Sequence, residues 1–223
     1  MKEHWLEVKK MSDEYVILVD ENDNPIGSEE KVKCHLPNGK LHRAFTALLF
    51  DKSGRLVLTR RAKEKMLWPE DWDGTVASHP REGETYTSSA ERRMPEEVGI
   101  SCKMDYLMKF EYHVPYKNIG SENEICGTLI GIVDESTKFK MIEGEIDEIK
   151  WISASELLSE IKNNPKIYCP WMLIALIFLD KSENKMLEKY KNILSSWINS
   201  DLQTELKKAI QNHLPDDKWR LVR

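Results

Sequence analysis

The spacing of apolar residues changes near residue 150, and that change limits the folds open to the chain. Before it, short runs rich in β-branched residues alternate with turn-forming clusters, which is typical of strands. After it, apolar residues recur every three or four positions, which is typical of amphipathic helices. The pattern predicts a mixed α/β domain over residues 1–182 and a helical extension over residues 183–223.

Individual segments follow from the apolar pattern and the residues that flank it. The predicted strands are Glu14–Asp20, the hairpin of Arg43–Phe50 and Arg55–Arg60 about the turn Asp51–Gly54, Met104–His113, Ile125–Val133 and Ile149–Ile152. The predicted helices run from a cap at Thr87 toward Gly99, over Ser153–Lys162, from Pro170 to Asp180, and along the amphipathic stretch after Lys181.

The composition argues against several classes of protein. The longest apolar run, Trp171–Leu179, is far shorter than the roughly 20 residues of a membrane helix, and no signal-peptide pattern opens the chain. A net charge of −5 argues against nucleic acid as the main partner. The 4 cysteines form no C-x-x-C pair, which indicates reduced thiols. We therefore predict a cytoplasmic protein without membrane insertion.

Histidines and carboxylates are spaced so that they could form a divalent-metal site. His35 and His42 flank a short polar turn, and His79 precedes a proline. Glu122 and Glu124 place two carboxylates on one face of an extended segment. Imidazoles and carboxylates are common ligands of divalent metals. Spacing alone also fits an ordinary solvated surface, so the metal site is one of two interpretations at this point.

The segment before Gly99 resembles the Nudix box, written G-x5-E-x7-R-E-U-x-E-E-x-G-U. The matching residues are Glu84, Arg92, Met94, Glu96, Glu97 and Gly99. Two positions depart from it, because Ser78 replaces the first glycine and Arg93 replaces the glutamate that follows the arginine. Pro95 lies within the predicted helix and leaves the position of Glu97 open by one turn.

The chain from about Glu14 to Asp180 resembles one branch of that superfamily, the type I isopentenyl-diphosphate isomerases. The resemblance rests on motifs spread along the domain. They are Lys31-x3-His35-x6-His42-Arg-Ala-Phe45, Thr59-Arg-Arg-Ala62 with Lys65, Trp68-Pro69, Trp72, Ser78-His79-Pro80, Arg92-Arg93, Glu97-x-Gly99, Tyr112, Glu122-Asn-Glu124-Ile-Cys126 and Pro170-Trp171. The resemblance implies a Nudix-type fold of mixed β-sheets packed between helices, followed by the helical extension.

The resemblance also implies an activity and a set of site residues. The activity is the interconversion of isopentenyl and dimethylallyl diphosphate through a carbocation, by a monomer or homodimer. The implied site consists of metal ligands His35, His42, His79, Glu122 and Glu124, proton-transfer residues Glu124 and Tyr112, substrate-binding residues Lys31, Arg61, Lys65, Arg93 and Trp171, and Glu97 as a Mg²⁺ ligand. The implied cofactors are Mg²⁺ with the substrate diphosphate and a second divalent metal, Mn²⁺, Mg²⁺ or Zn²⁺, at the His/Glu site.

Ala77 stands where the family has its catalytic cysteine, directly before Ser78-His79-Pro80. A methyl group cannot carry a proton, and the hydroxyl of Ser78 is a poor substitute for a thiol near neutral pH. Three explanations are open: an introduced substitution that traps substrate, a native alanine in a relative with altered chemistry, or another group in the role of the thiol.

Two other functions fit the same residues. Glu84, Glu96 and Glu97 are those of a Nudix hydrolase acting on prenyl or nucleoside diphosphates, although Arg93 argues against that reading. A non-catalytic binder of prenyl diphosphates, or an interaction protein that uses its helical extension, is the third hypothesis.

Overall fold

The strand-rich half of the sequence forms one branched sheet. The computed structural model describes residues 14–181, 186–214 and 219–222. The strands are β1 Tyr15–Val19, β2 Pro25–Glu30, β3 His42–Phe50, β4 Leu56–Arg61, β5 Trp72–Asp73, β6 Val76–Ser78, β7 Asp105–Tyr116, β8 Gly120–Ile132, β9 Ile146–Ile152 and β10 Trp219–Val222. Their main order is β10-β7-β8-β3-β1-β2, with β6 also on β3 and β4 linked to β3, β5 and β9. Only β3 and β8 run parallel among these pairs.

Helices cover both faces of this sheet. They are α1 Lys31–His35, α2 Tyr86–Glu97, α3 Ala154–Asn163, α4 Pro170–Phe178, α5 Met186–Leu194 and α6 Ser200–Gln211, with a 3₁₀ turn at Pro165–Ile167. Strand β3 shows the layering, since alternate residues of a strand face opposite sides. Leu48 and Phe50 pack in the cluster that contains α4, whereas Phe45 and Leu49 pack with α2. The expected Nudix-type arrangement of sheet between helices is confirmed.

Helix α4 lies at the centre of the larger core. All its residues are buried, as expected for a helix that is apolar around its whole circumference. Pro170 occupies its first turn, as predicted. In the described parts of the chain, no helix has both the length and the apolar content needed to cross a bilayer.

The C-terminal extension packs against the same core. Trp197 is fully buried, its Nε1 donates to the carbonyl of Gly54 at 2.7 Å, and its ring lies 5.5 Å from that of Phe50. Helix α6 packs on α4 and α3. The extension is not wholly helical, because β10 pairs with β7 at the sheet edge. The domain boundary at residue 182 stays a prediction.

Two local predictions differ from the structure, and a third point that the sequence left open concerns Pro95. The β3–β4 hairpin is paired only at Phe50 and Leu56, after which β4 pairs with β9. The cap of α2 is Thr85 rather than Thr87, because Thr85 and Ser88 form a reciprocal capping box that begins the helix earlier. The helix continues through Pro95 and ends at Glu97, in agreement with the predicted course toward Gly99.

Glu84 ties the loop before α2 to the helix itself. Its carboxylate accepts from Arg92 Nε at 2.6 Å and from the backbone N–H of Arg81 at 2.8 Å. The hydrogen bond from Arg92 lowers the pKa of Glu84 from 4.5 to about 2. The interaction therefore stabilises the fold above about pH 4.5, and its contribution is lost as the pH falls toward 2.

We expect Glu84→Gln to lower the free energy of unfolding by about 1 kcal/mol at pH 7, because a charge-assisted bond is replaced by a neutral one. The difference from wild type should shrink toward zero near pH 2.5. Urea unfolding at both pH values measures it, and Glu82→Gln at an exposed neighbouring position is the matched control. An equal difference at both pH values would contradict the assignment.

Candidate active site

Strand register brings the predicted catalytic and metal residues together. In β8, Glu124 lies opposite Tyr112 of β7 on one side and opposite His42 of β3 on the other. His79 directly follows β6, which also pairs with β3. Glu122 lies two residues before Glu124, so both carboxylates emerge on the same face of the strand. Four neighbouring strands thus carry one group of polar side chains.

Three imidazoles and one carboxylate converge within this group. The ligand atoms of His35, His42, His79 and Glu124 all lie within 4.8 Å of one another. Nε2 of His42 lies 3.2 Å from Nε2 of His79, and both lie 3.3 Å from Glu124 Oε1. Two ligands bound to one ion at about 2.1 Å are about 3 to 3.4 Å apart. These separations fit a single divalent ion.

Backbone carbonyls orient two of the imidazoles toward that point. Nδ1 of His35 lies 2.6 Å from the carbonyl of Lys31, and Nδ1 of His42 lies 2.8 Å from that of Lys40. A carbonyl only accepts, so both Nδ1 atoms carry a proton, and both Nε2 atoms face the cluster, as in metal sites. Glu122 Oε2 lies 2.9 Å from His35 Nε2 and makes no hydrogen bond. Glu122 is at the cluster's edge, outside the four converging residues.

Tyr112 and Glu124 form a direct pair at the floor of the site. The Tyr112 hydroxyl donates to Glu124 Oε2 at 2.6 Å, and both side chains are buried. Burial, together with the Glu124 carboxylate, raises the pKa of Tyr112 well above its ordinary value. Tyr112 therefore remains protonated near neutral pH and can pass a proton along this hydrogen bond.

One open cavity connects these residues with the predicted substrate-binding residues. Its volume is about 950 Å³ when the space open to solvent is included. Its lining includes Tyr112, Glu124, Trp171 and Ala77. The four cysteines all belong to the described chain, and none of them lines this cavity. The structure therefore presents a methyl group, and no thiol, at the wall where the family has cysteine.

Each predicted phosphate-binding cation except Arg61 is paired with a carboxylate at this cavity. Lys31 Nζ lies 2.9 Å from Glu14 Oε2, and Lys65 Nζ contacts Glu145. Arg93 Nη2 lies 2.6 Å from Glu97 Oε1 and 3.5 Å from Glu145 Oε1. Glu97 itself lies behind Arg93 and not in the lining. Burial raises the pKa of Glu97, while the charge of Arg93 opposes that rise.

Sequence reasoning did not find Glu14 and Glu145. Both line the cavity, and both sit on segments with no motif of their own, the residue before β1 and the turn before β9. The one available signal was charge, because several cations placed together in one cavity favour carboxylates nearby.

We expect Glu145→Gln to tighten the binding of inorganic pyrophosphate about three- to tenfold without divalent metal, because a carboxylate that competes for Lys65 and Arg93 is neutralised. Isothermal titration measures the change. Glu148→Gln is the matched control, since Glu148 lies three residues further along the chain, in β9, and pairs with Arg60 at 3.3 Å. Weaker or unchanged pyrophosphate binding would contradict the competition.

Arg61 differs from the other predicted phosphate ligands. Its guanidinium donates to the carbonyls of Trp68 at 3.0 Å and Leu67 at 3.1 Å, and to Asp73 Oδ2 at 3.2 Å. It also lies 5.2 Å from the centre of the Trp171 ring. Arg61 lines the cavity, and each of its three nitrogens contacts protein. It is held mainly by backbone carbonyls and Asp73, whereas Lys31, Lys65 and Arg93 are paired with glutamates.

The sequence pattern of the NUDIX domain family matches residues 40–172. An isopentenyl-diphosphate Delta-isomerase of Haloarcula marismortui is 38% identical over 72% of this chain and 88% of its own length. One from Serratia proteamaculans is 34% identical over 82% of this chain and 99% of its own length. The chain belongs to the type I isopentenyl-diphosphate isomerase family, within the Nudix superfamily.

A solved structure shows the same fold at greater distance. The Deinococcus radiodurans protein DR0079 matches with a TM-score of 0.59 and 20% identity, over 73% of this chain and 97% of that one. This likeness shows the fold alone. Membership of the isomerase family therefore rests on the sequence relatives and on the NUDIX match.

The carboxylates of the Nudix box are paired with the two arginines of the same segment. Arg92 pairs with Glu84 at 2.6 Å and with Glu96 at 3.1 Å, while Arg93 pairs with Glu96 at 2.9 Å. Glu84 and Glu96 thus form ion pairs with arginines, and neither carboxylate lines the cavity. In spite of Pro95, Glu97 stays one turn from Arg93 on the same helix face.

Proposed function

We propose that this protein interconverts isopentenyl and dimethylallyl diphosphate. One observation carries the proposal: a single cavity is lined by the hydrogen-bonded pair Tyr112–Glu124, the aromatic ring of Trp171 and four cations, Lys31, Arg61, Lys65 and Arg93. An allylic isomerisation adds a proton at the terminal methylene carbon, which leaves a positive charge on the adjacent tertiary carbon. Loss of a proton from the chain carbon on the other side of that centre then forms the new double bond.

The cavity is arranged to place the two ends of such a substrate. Lys31, Lys65 and Arg93 provide the cationic end, where the diphosphate would bind after displacing the carboxylates. Trp171 and Leu67 provide an aromatic and apolar end for the prenyl group. The Trp171 and Tyr112 rings lie 6.4 Å apart, so a prenyl carbon beside the tryptophan face would lie close to the proton-transfer pair.

Divalent metals complete the proposed site. His35, His42, His79 and Glu124 would hold one ion, Mn²⁺, Mg²⁺ or Zn²⁺, and Glu122 lies at its edge. Glu97 would contribute to a Mg²⁺ bound with the diphosphate. When bound, these ions supply positive charge that stabilises the carboxylates and the diphosphate oxygens.

The chain's own residues supply one proton-transfer pair and an aromatic ring for the developing positive charge. Glu124 accepts the hydrogen bond of Tyr112, so a proton can be held or released at the tyrosine oxygen or at Glu124. The Trp171 face stabilises the developing positive charge. Ala77 supplies no proton carrier at its place in the cavity lining, and we therefore expect slow turnover. A cytoplasmic location and a monomeric or homodimeric state stay predictions.

The decisive experiment incubates the protein with isopentenyl diphosphate and Mg²⁺ in D₂O. We expect dimethylallyl diphosphate to form slowly and deuterium to be incorporated into the prenyl group. NMR measures both. Release of phosphate or of a monophosphate would instead favour the Nudix hydrolase. Binding without deuterium incorporation or hydrolysis, in wild type and in Ala77→Cys, would overturn the enzyme assignment in favour of a prenyl-diphosphate binder.

A further inference from the structure

Asp73 is a buried carboxylate to which the proposed reaction gives no role. Its side chain is 4% exposed, and the residue does not line the cavity. Oδ1 accepts from Trp171 Nε1 at 2.7 Å and from the backbone N–H of Gly74 at 2.7 Å. Oδ2 accepts from Arg61 Nη1 at 3.2 Å. One carboxylate thus joins the cavity's aromatic wall to the guanidinium beside it.

Arg61 places a fixed positive charge against that wall. Its guanidinium is held 5.2 Å from the centre of the Trp171 ring by Asp73 and by the carbonyls of Leu67 and Trp68. A ring that already faces one cation is a weaker partner for a second cation on the substrate. Unless the charge of Arg61 is offset, it opposes the positive charge that Trp171 is proposed to stabilise.

Asp73 offsets that charge by two routes. Its anion compensates the guanidinium through the Oδ2 contact, at short range and away from solvent. Its Oδ1 holds the indole N–H, which fixes the ring plane, and an anionic acceptor at the N–H increases the electron density of the ring.

We infer that Asp73 is a positioning residue for the proposed isomerisation, one that orients Trp171 and tunes its ring to bind a positive charge in the cavity. The inference rests on the proposed function, because only a cationic intermediate gives such tuning a purpose. Asp73 acts through Trp171 and does not touch the substrate.

The test compares two ligands of the same shape and different charge. One is a saturated prenyl diphosphate whose hydrocarbon end is uncharged. The other has a tertiary ammonium nitrogen in place of the carbon where the positive charge develops. We expect wild type to prefer the cationic ligand by about 100-fold, as for a transition-state analogue. In Asp73→Asn, we expect this preference to fall about tenfold, kcat to fall about tenfold or more, and KM to change less than about threefold.

Two further variants separate this role from a structural one. Asp51→Asn removes another buried carboxylate, which bonds Ser53 and Arg55 far from the cavity, and should leave the charge preference unchanged. If Asp73→Asn does not fold, the measurement is repeated with Asp73→Thr, which keeps a small oxygen acceptor without the charge.

An Asp73 variant that loses affinity for both ligands equally, or keeps the full preference, would overturn this inference alone. A wild-type protein that shows no preference for the cationic ligand and no isomerisation would overturn the proposed function together with it.

Discussion

Ala77→Cys is expected to raise the rate of isopentenyl diphosphate isomerisation by about 10²- to 10⁴-fold, the contribution of a well-placed proton carrier. Ala77 lines the cavity together with Tyr112, Glu124 and Trp171, so a thiol introduced there faces the same space as the proton-transfer pair. In β6, the residue is held by pairing with Thr46 of β3, which keeps the new side chain directed by a rigid strand. Ala77→Cys adds a single heavy atom, the thiol sulfur, at this position.

The measurement is single-turnover conversion of isopentenyl diphosphate with Mg²⁺, for wild type and variant side by side. Ala77→Ser is the matched control, because a hydroxyl of similar size exchanges protons poorly near neutral pH, and its rate should stay within about tenfold of wild type. Ser78→Ala in the wild-type background tests the hydroxyl already present in the cavity. If Ala77→Cys were no faster than wild type while wild type turned over readily, another group would carry the second proton.

Glu124→Gln is expected to reduce isomerisation by at least about 10³-fold and to remove most of the bound metal from the His/Glu site. Glu124 contacts both the histidines and the tyrosine of the site: Oε1 lies 3.3 Å from Nε2 of His42 and of His79, and Oε2 accepts a hydrogen bond from the Tyr112 hydroxyl. An amide of the same shape keeps the packing of β8 but carries neither the negative charge nor a transferable proton.

Metal content by elemental analysis and the rate of deuterium incorporation are measured on the same samples. Glu111→Gln is the matched control, since Glu111 lies on the neighbouring strand, pairs with Arg220 at its exposed edge and does not line the cavity. Retained metal with lost turnover would assign Glu124 to proton transfer alone. Full activity and full metal content would contradict both of its proposed roles.

Much of the fold could be predicted from local pattern because it depends on local preferences. The apolar run after Pro170 becomes a helix with every residue buried, and Ser153 caps α3 with Glu156 in a capping box. The elements missed were short or without periodicity. Helix α1 and strands β5 and β6 contain few residues, and each is stabilised by the neighbour it packs against rather than by its own sequence.

The candidate site divides in the same way. Sequence motifs identified His35, His42, His79 and Glu124, and the structure brings these four together. Motifs also placed Arg61 among the phosphate ligands. The structure places it in the cavity lining, bonded to Leu67, Trp68 and Asp73, and its role as a phosphate ligand stays a prediction. Glu145 and Asp73 had no motif, and their partners lie far away along the chain.

By itself, the sequence determined the family, the residue types that can bind metal and move protons, and the absence of a thiol at Ala77. Tertiary structure decided which charges neutralise one another and which remain free for a ligand. The physical reason is that side-chain chemistry is a property of the residue, whereas pairing depends on distances of a few ångströms between strands and helices distant in sequence. Asp73 and Trp171, 98 residues apart and 2.7 Å from each other, depend entirely on that folding.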